Sequence, residues 1–210
     1  MGTNAARLAV SSVTAFAALA LTACSEPTPA PVTTTPKTSE STETTDKPSP
    51  TKKTTAPPKV DRPADKDLSA VNPCDVMNTL KLSDYGMDNQ VPGFQKESSI
   101  FPGSQGCTAA GITSNLTVGI ESVVTQGMKS WVEGANGETK QIKIEGYPAA
   151  TVAPKRGISC YAVVDTKDGQ MMFFQLLVSN DSRQPVTPQP ELCTRVVKMA
   201  EAGMKVVLAR

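Results

Sequence analysis

Four cysteines spread over residues 74–193 constrain the fold more than any other feature of the sequence. Cys74, Cys107, Cys160 and Cys193 form no C-x-x-C pair, and the chain contains no histidine. A zinc site needs closer cysteine spacing or histidine partners, so the pattern favours two disulfides. Three pairings are possible. We favour Cys74 with Cys193, because both lie near the start of a predicted helix, and Cys107 with Cys160, because both lie in predicted strands.

A fifth cysteine follows an apolar run near the N-terminus. Residues 8–21 are too short to span a bilayer comfortably, and one charge, Arg7, precedes them, which is typical of an export signal. Leu21-Thr22-Ala23-Cys24 resembles the lipobox of bacterial lipoproteins. The resemblance implies that residues 1–23 are a lipoprotein signal peptide and that Cys24 receives a diacylglycerol lipid, with acyl chains such as palmitate. The chain is then held at the extracytoplasmic face of the cell membrane. A transmembrane helix is the alternative, although no stop-transfer charges follow.

The segment after this cysteine predicts a tether. Residues 25–70 contain nine of the chain's 17 prolines and eleven threonines, without apolar periodicity. Such a composition cannot bury enough surface to offset the entropy of ordering. Residues 24–70 are therefore interpreted as a lipid-anchored, Pro/Thr-rich disordered tether that lifts the following domain from the membrane. O-glycosylation of its threonines and an unmodified linker both remain open.

We predict that residues 71–210 form a single extracytoplasmic domain, because a segment of this length suits one hydrophobic core. Asn72 and Pro73 predict the start of a short helix, as its cap and its first-turn residue. Residues 83–104 show no clear period and are interpreted as a loop. Further elements are predicted from alternation and turn residues: strands at 107–111 and 116–124 around a turn at 113–115, a brief helix at 128–133, strands near 142–144 and 149–153, and a hairpin of strands 158–166 and 170–179.

The C-terminal third indicates the fold class. Residues 171–178 are apolar on both sides, which predicts a central strand covered on both faces. Residues 192–208 carry an apolar stripe at three- and four-residue spacing, which predicts a helix packed on the sheet. A partner-binding or membrane-surface helix is the alternative. The predicted fold is α+β: a mainly antiparallel β-sheet with a short N-terminal helix, a C-terminal amphipathic helix packed on it, and two disulfides.

Several short motifs occur in order along this domain: Asn-Pro-Cys at 72–74, Gly-Cys at 106–107, Leu-Thr-Val at 116–118, Gly-Tyr-Pro-Ala at 146–149, Ser-Cys-Tyr-Ala-Val at 159–163 and Glu-Leu-Cys at 191–193. Together they resemble a family of actinobacterial lipoproteins known only as domain of unknown function 3558. Members often have Asp-Pro-Cys and Cys-x-Trp, where this chain has Asn72 and Ala109. The family has no established activity, so the resemblance implies architecture and an envelope location but no chemistry.

Candidate catalytic residues are few. Without histidine the chain lacks the commonest general base and any Ser-His or Cys-His arrangement. A Ser-x-x-Lys pattern, from Ser49 to Lys52, lies in the predicted tether, where nothing positions it. Glu121 and Glu145 remain as a carboxylate pair that folding could bring together. We predict no catalytic, cofactor-binding or metal-binding residues, and a carboxylate-based envelope hydrolase is kept as an alternative.

Other notable residues have structural interpretations. Asp165 and Asp168 flank the predicted hairpin turn and are interpreted as solvated turn residues. Met171 and Met172 point to opposite faces of a strand, so they cannot share a metal ion and are predicted to pack in the core. Trp131 either lines a ligand pocket or covers the sheet. The near balance of 21 basic and 20 acidic residues argues against nucleic-acid binding.

These features together predict a non-catalytic binding or accessory module of the cell envelope, anchored through the lipid on Cys24. One version captures an envelope protein through an exposed sheet face or the 83–104 loop. The alternative is a carrier that holds an apolar small molecule or lipid between the sheet and the terminal helix. A large apolar cavity favours the carrier, whereas a filled core with an exposed apolar patch favours the protein partner.

Overall fold

Seven antiparallel strands form one sheet in the computed structural model, which describes residues 61–88 and 90–210. The strands are β1 (Gln90–Glu97), β2 (Gln105–Gly111), β3 (Leu116–Val123), β4 (Gly137–Ile144), β5 (Tyr147–Pro154), β6 (Ser159–Lys167) and β7 (Gln170–Val178). Their order in the sheet is β1-β2-β3-β7-β6-β5-β4, so β7 is the central strand. Along β7, Met172 and Phe174 enter one core cluster and Met171 and Phe173 the other, which confirms the predicted strand covered on both faces.

Helices cover the two faces of this sheet unequally. They are α1 (Pro73–Thr79), a single 3-10 turn (Leu82–Tyr85), α2 (Met128–Glu133) and α3 (Gln189–Leu208). We call the face that carries Phe174 and Ile120 the helical face, because α1 and α3 pack on it. The opposite face, which carries Phe173 and Val163, is called the groove face, and the one-and-a-half-turn helix α2 packs there. The α+β architecture is therefore as predicted.

The two helices of the helical face begin and pack as their sequences dictate. The side chain of Asn72 accepts a hydrogen bond from the Cys74 N–H at 2.9 Å, and Pro73 occupies the first turn of α1. In α3 the apolar stripe is buried, and the predicted packing on the sheet is confirmed. The approach is close at Gly203, where a Cβ atom would lie 2.5 Å from the ring of Phe174.

The interpretation of residues 83–104 as a loop is wrong for much of its length. The segment contains part of the 3-10 turn and the whole of β1, an edge strand that pairs with β2. Its register shifts between Val91 and Phe94, where Pro92 and Gly93 interrupt the alternation of the sequence. Proline and bulges are tolerated in edge strands, because the N–H groups on the outer side of such a strand form no hydrogen bonds with another strand.

The four domain cysteines form two disulfides, but not in the favoured pairing. The bonds join Cys74 to Cys107 and Cys160 to Cys193, each with a Cα–Cα distance of 5.0 Å. Each bond links a helix to a strand of the helical face: α1 to β2, and α3 to β6. The favoured pairing failed because it assumed that the two helices meet each other near their starts. Each cysteine instead meets the strand beneath its own helix, which only the packing of helices on the sheet decides.

The packed chain begins before residue 71. Leu68 is 1% exposed and joins the core of the helical face, and the Lys66 N–H donates to the Thr166 carbonyl at 2.7 Å. Residues 61–70, which the sequence assigned to the tether, thus lie against the domain. The predicted signal peptide, Cys24 and the rest of the predicted tether lie outside the described residues. Within residues 61–88 and 90–210, no helix combines the length and apolarity needed to cross a membrane.

Candidate functional site

Helix α2 is held on the groove face by a cluster of aromatic rings. The Trp131 ring lies 5.2 Å from Phe173 and 5.8 Å from Tyr161, measured between centroids, and Phe101 packs edge-on to Phe173 at 5.2 Å. Edge-to-face contacts at these distances are the preferred arrangement of aromatic pairs. Trp131 therefore covers the sheet, which decides the question that the sequence left open.

The first turn of α2 also presses against the β6–β7 turn. A Cβ atom at Gly127, the residue that caps α2, would lie 3.3 Å from the backbone nitrogen of Gly169. Gly169 itself has φ +76°, the left-handed conformation expected for the Asp-Gly hairpin signal, and the predicted hairpin is confirmed. Glycine at both positions lets the helix start directly beside the turn.

Two contiguous hollows open alongside α2, and we call them together the α2 groove. One has a volume of about 390 Å³ and reaches from Val132 to Gln141 and Pro148 on the neighbouring strands. The other has a volume of about 360 Å³ and reaches to Asp168 and Gly169 of the β6–β7 turn. Both are lined by Met128, Lys129, Glu133 and Asp165, so they lie side by side along α2.

The α2 groove combines an apolar floor with an acidic rim. Met128, Val132 and Pro148 supply apolar surface. Glu133, Asp165 and Asp168 supply carboxylates, against one lining cation, Lys129. Burial raises the pKa of Asp165, and the attraction and hydrogen bond of Arg62 oppose that increase. The lining therefore favours ligands that bring apolar surface and positive charge.

Arg62 pairs with the carboxylates at the acidic end of the groove. Its guanidinium contacts Asp65 through Nε at 2.7 Å, Asp165 through Nη1 at 2.9 Å and Asp168 through Nη2 at 2.5 Å. Burial by itself lowers the pKa of Arg62, but the hydrogen bonds with Asp168 and Asp65 and the charge of Asp165 raise it above its ordinary value. The arginine side chain is 7% exposed, so its charge is largely removed from water and balanced by these carboxylates.

The interpretation of the two hairpin aspartates as solvated residues holds for one and fails for the other. The Asp168 side chain is 75% exposed, whereas that of Asp165 is 14% exposed. Sequence reasoning missed the partner, Arg62, because it lies about a hundred residues earlier, in a Pro-containing segment assigned to the tether. The residues Asp-Arg-Pro-Ala-Asp-Lys-Asp at 61–67 are dense in charge, and that density was the available signal.

A second polar group on the groove face is structural. The Ser98 hydroxyl donates to the Glu121 carboxylate and accepts from the N–H groups of Ile100 and Phe101. A serine hydroxyl has one proton and two lone pairs, so its bonding capacity is filled. Burial raises the pKa of Glu121, and the Ser98 hydrogen bond and Lys96 act in the opposite direction. This contact fixes the β1–β2 loop and thereby places Phe101 over the sheet.

The carboxylate pair considered from the sequence is not brought together. Glu121 lies on β3, whereas Glu145 lies in the β4–β5 turn, 3.8 Å from Lys205 of α3. Strands β7, β6 and β5 separate β3 from β4, which places the two strands about 19 Å apart at the usual strand spacing. Such a separation is far too large for two carboxylates to act on one bond. The pair of Glu121 and Glu145 is therefore ruled out as a hydrolytic site.

The remaining predicted positions have clear placements. Cys74, Cys107, Cys160 and Cys193 are all in disulfides, while Cys24 lies outside the described residues. Met171 and Met172 are both fully buried on opposite faces, as predicted. Over residues 61–88 and 90–210, no group of three histidine, cysteine, aspartate or glutamate residues could hold a metal ion.

Comparison with known proteins gives a family but no activity. The sequence model of a family described as "Protein of unknown function (DUF3558)" matches residues 19–205, which is most of the chain. No curated protein and no solved structure matches the chain.

Proposed function

The chain belongs to the DUF3558 family, and we propose that it is an exported, lipid-anchored, non-catalytic module that docks an envelope protein in the α2 groove. The lipobox-like Leu21-Thr22-Ala23-Cys24 supports the anchor. The two disulfides support a location outside the cytoplasm, because such bonds persist in oxidising compartments. Anchoring on two or more acyl chains holds a protein firmly at a membrane.

The observation that carries the binding role is the α2 groove itself. It is a preformed, mainly apolar depression with carboxylates in its lining, on the face whose core residues Phe101, Phe173 and Val163 are buried beside it. Pockets of 300–1,000 Å³ with a few placed polar groups are typical binding sites. The carrier alternative has less support, because α3 lies on the sheet so closely that even one Cβ atom at Gly203 would contact Phe174.

The lining also defines the partner. Met128, Val132 and Pro148 favour an apolar side chain, and the exposed carboxylate of Glu133 favours a lysine or arginine beside it. The groove extends to Asp168, so a second positive charge has a partner there. The proposed occupant is thus a short protein segment in which apolar and basic residues alternate. This role needs no catalytic residue. The Ser98 hydroxyl, which contacts the Glu121 carboxylate, is not a free nucleophile, because structural hydrogen bonds already fill its bonding capacity.

Photo-crosslinking in the native host tests the docking role. A photoreactive amino acid such as p-benzoylphenylalanine is placed at Val132 in the full-length lipoprotein, and at exposed Glu201 of α3 as the control. We expect adducts from position 132 to map, by mass spectrometry, to a partner segment with apolar and basic residues, and Glu133→Lys to reduce their yield severalfold. Equal adducts from both positions, or segments without Lys or Arg, would contradict the proposal.

Intact mass tests the anchor separately. The native protein is expected to lack residues 1–23 and to carry diacylglycerol on Cys24, whereas Cys24→Ala is expected to leave the membrane fraction. A mature form that retains its N-terminus, or that has no acyl adduct while staying membrane-bound, would contradict the lipid anchor. That result would leave the groove experiment unaffected, because the two readouts concern different parts of the chain.

A further inference from the structure

A second cleft lies at the opposite end of the sheet from the α2 groove. It is formed by the β2–β3 turn, the end of the 3-10 turn and the loop that leads into α3, and its volume is about 410 Å³. The strands β3 and β7 run from this cleft to the β6–β7 turn, over about 25 Å at the usual rise per residue. We call this second cleft the Arg183 cleft. Because of this distance it is a site separate from the α2 groove, and the inference drawn from it does not rest on the proposed function above.

The cleft has a rigid wall. Asn115 is 8% exposed, and its side-chain amide donates to the Asn180 carbonyl at 2.7 Å and accepts from the Asn180 N–H at 3.0 Å. This pair of bonds fixes the start of the 180–187 loop to the β2–β3 turn. On the other side, Arg195 donates to the Tyr85 carbonyl at 3.4 Å and pairs with Glu191 at 2.5 Å. The walls are thus held by side chains that are already paired.

The lining of the cleft also contains polar groups that are not fully used. The exposed side chain of Arg183 forms no ion pair with any described residue, and it donates one hydrogen bond, to the Ile112 carbonyl at 3.3 Å. Asp88 receives one, from the Ser114 N–H at 2.5 Å. The Ser114 hydroxyl is buried in the wall without a hydrogen-bond partner among the described residues. Guanidinium donors bind carboxylates in a two-bond geometry, and carboxylate acceptors bind hydroxyl groups.

We propose that the Arg183 cleft binds a small acidic saccharide, with its carboxylate on Arg183 and its hydroxyl groups on Asp88. Threonines 113 and 187 and Gln184 line the same cleft and offer further hydroxyl and amide partners. A simple anion would use Arg183 and meet repulsion from Asp88, and a neutral sugar would form no ion pair with Arg183. A sugar acid uses both groups. The volume suits a ligand of one sugar ring, near the lower end of typical ligand sites.

Titration of the purified full-length lipoprotein in detergent tests this assignment with three probes: D-glucuronate, D-glucose and acetate. Glucuronate carries both recognised groups, glucose carries the hydroxyls and acetate carries the charge. We expect glucuronate to bind at least about tenfold more tightly than either of the others, because it alone forms charge-assisted bonds at both ends. In ¹⁵N NMR, its shift changes should concentrate in residues 113–116 and 183–187.

Matched variants keep the result decisive. Arg183→Gln should lower glucuronate affinity about tenfold and remove its advantage over glucose. Lys140→Gln, which removes an equal charge from the exposed edge strand β4, should change nothing. Comparable binding of all three probes, no glucuronate binding, or an Arg183→Gln variant with unchanged affinity would overturn the proposal. An unchanged melting temperature of Arg183→Gln verifies that the fold is intact.

Discussion

The two faces of the sheet differ in how they are covered, although the same strands build both. The helical face carries α1 and α3, the 20-residue helix, and both disulfides join it to those helices. The groove face carries α2, a helix of 6 residues, held by the aromatic contacts of Trp131 with Phe173, Tyr161 and Phe101. The disulfides and the most extensive apolar packing are therefore concentrated on the helical face. The groove face is left with depressions that can bind ligands.

The comparison teaches where this small domain gains its stability. A long helix on a sheet buries a continuous stripe, whereas a helix of less than two turns buries a few side chains and cannot be stable by itself. Because the helical face supplies most of the packing, the groove face can retain open hollows and exposed carboxylates without unfolding the domain. Variants that affect one face at a time test this division.

Neighbouring phenylalanines on β7 provide the largest expected effects. Phe174→Ala on the helical face and Phe173→Ala on the groove face should each lower the free energy of unfolding by about 3–5 kcal/mol. The chain has one tryptophan, Trp131, on the groove face. Its fluorescence should shift to longer wavelength in native Phe173→Ala and stay unchanged in native Phe174→Ala. A similar shift in both variants would show that the two faces are not independent.

Removal of either disulfide should destabilise the domain through the helical face and leave the packing of the groove face unchanged. Each bond closes a loop with a sequence separation of 33, for which the chain-entropy account gives about 3.7 kcal/mol. Two double variants should therefore lower the free energy of unfolding by similar amounts in urea titrations: Cys160→Ser with Cys193→Ser, and Cys74→Ser with Cys107→Ser. Trp131 emission should be unaffected while each variant is folded. A pair of variants whose midpoints equal that of the parent protein would refute this account.

Loss of Arg62 should produce a smaller effect. Arg62→Met removes the partner of Asp165, a largely buried carboxylate, and should cost about 2 kcal/mol. Combining it with Asp165→Asn should recover part of that cost, because no unpaired buried charge then remains. The exposed pair of Arg156 and Asp181 provides the control, and Arg156→Met should change stability by less than about 0.5 kcal/mol. Equal costs for the two arginines would contradict the described role of Arg62.

The smallest expected effect is a pH dependence caused by Glu121. Its pKa is raised by burial, so the folded chain keeps this proton to a higher pH than the unfolded chain does. The folded state thus binds more protons from the ordinary glutamate value, about 4.3, upward, and the free energy of unfolding falls as pH rises through that window. Glu121→Gln should lack this component and gain stability relative to the parent as pH rises. A constant difference between the two proteins from pH 4 to 8 would contradict it.

The strands and helices with regular patterns were predictable from the sequence, and those that depend on partners were not. The hairpin at Asp168-Gly169, helix α2 and helix α3 all follow from local turn chemistry and periodicity. Strand β1 was missed because Pro92 and Gly93 disguise an edge strand whose existence depends on β2. Membership of the DUF3558 family was confirmed over residues 19–205, although it brought no site with it.

The candidate sites were less predictable than the fold. Asp165 and Trp131 were singled out, but neither the α2 groove nor the Arg183 cleft has a local signature. Each gathers side chains from segments that are remote in sequence, such as Asp88 and Arg183. No spacing rule connects such residues, because their proximity results from the order of the strands.

By itself, the sequence determined that four dispersed cysteines without histidine would form disulfides in an α+β domain with a central strand buried on both sides. These properties follow from composition and from side-chain periodicity, which are local. Tertiary structure decided which cysteines pair, that Arg62 and Leu68 belong to the domain, and where the grooves open. Those outcomes depend on which helix lies over which strand, and that choice is made by the packing of the whole chain.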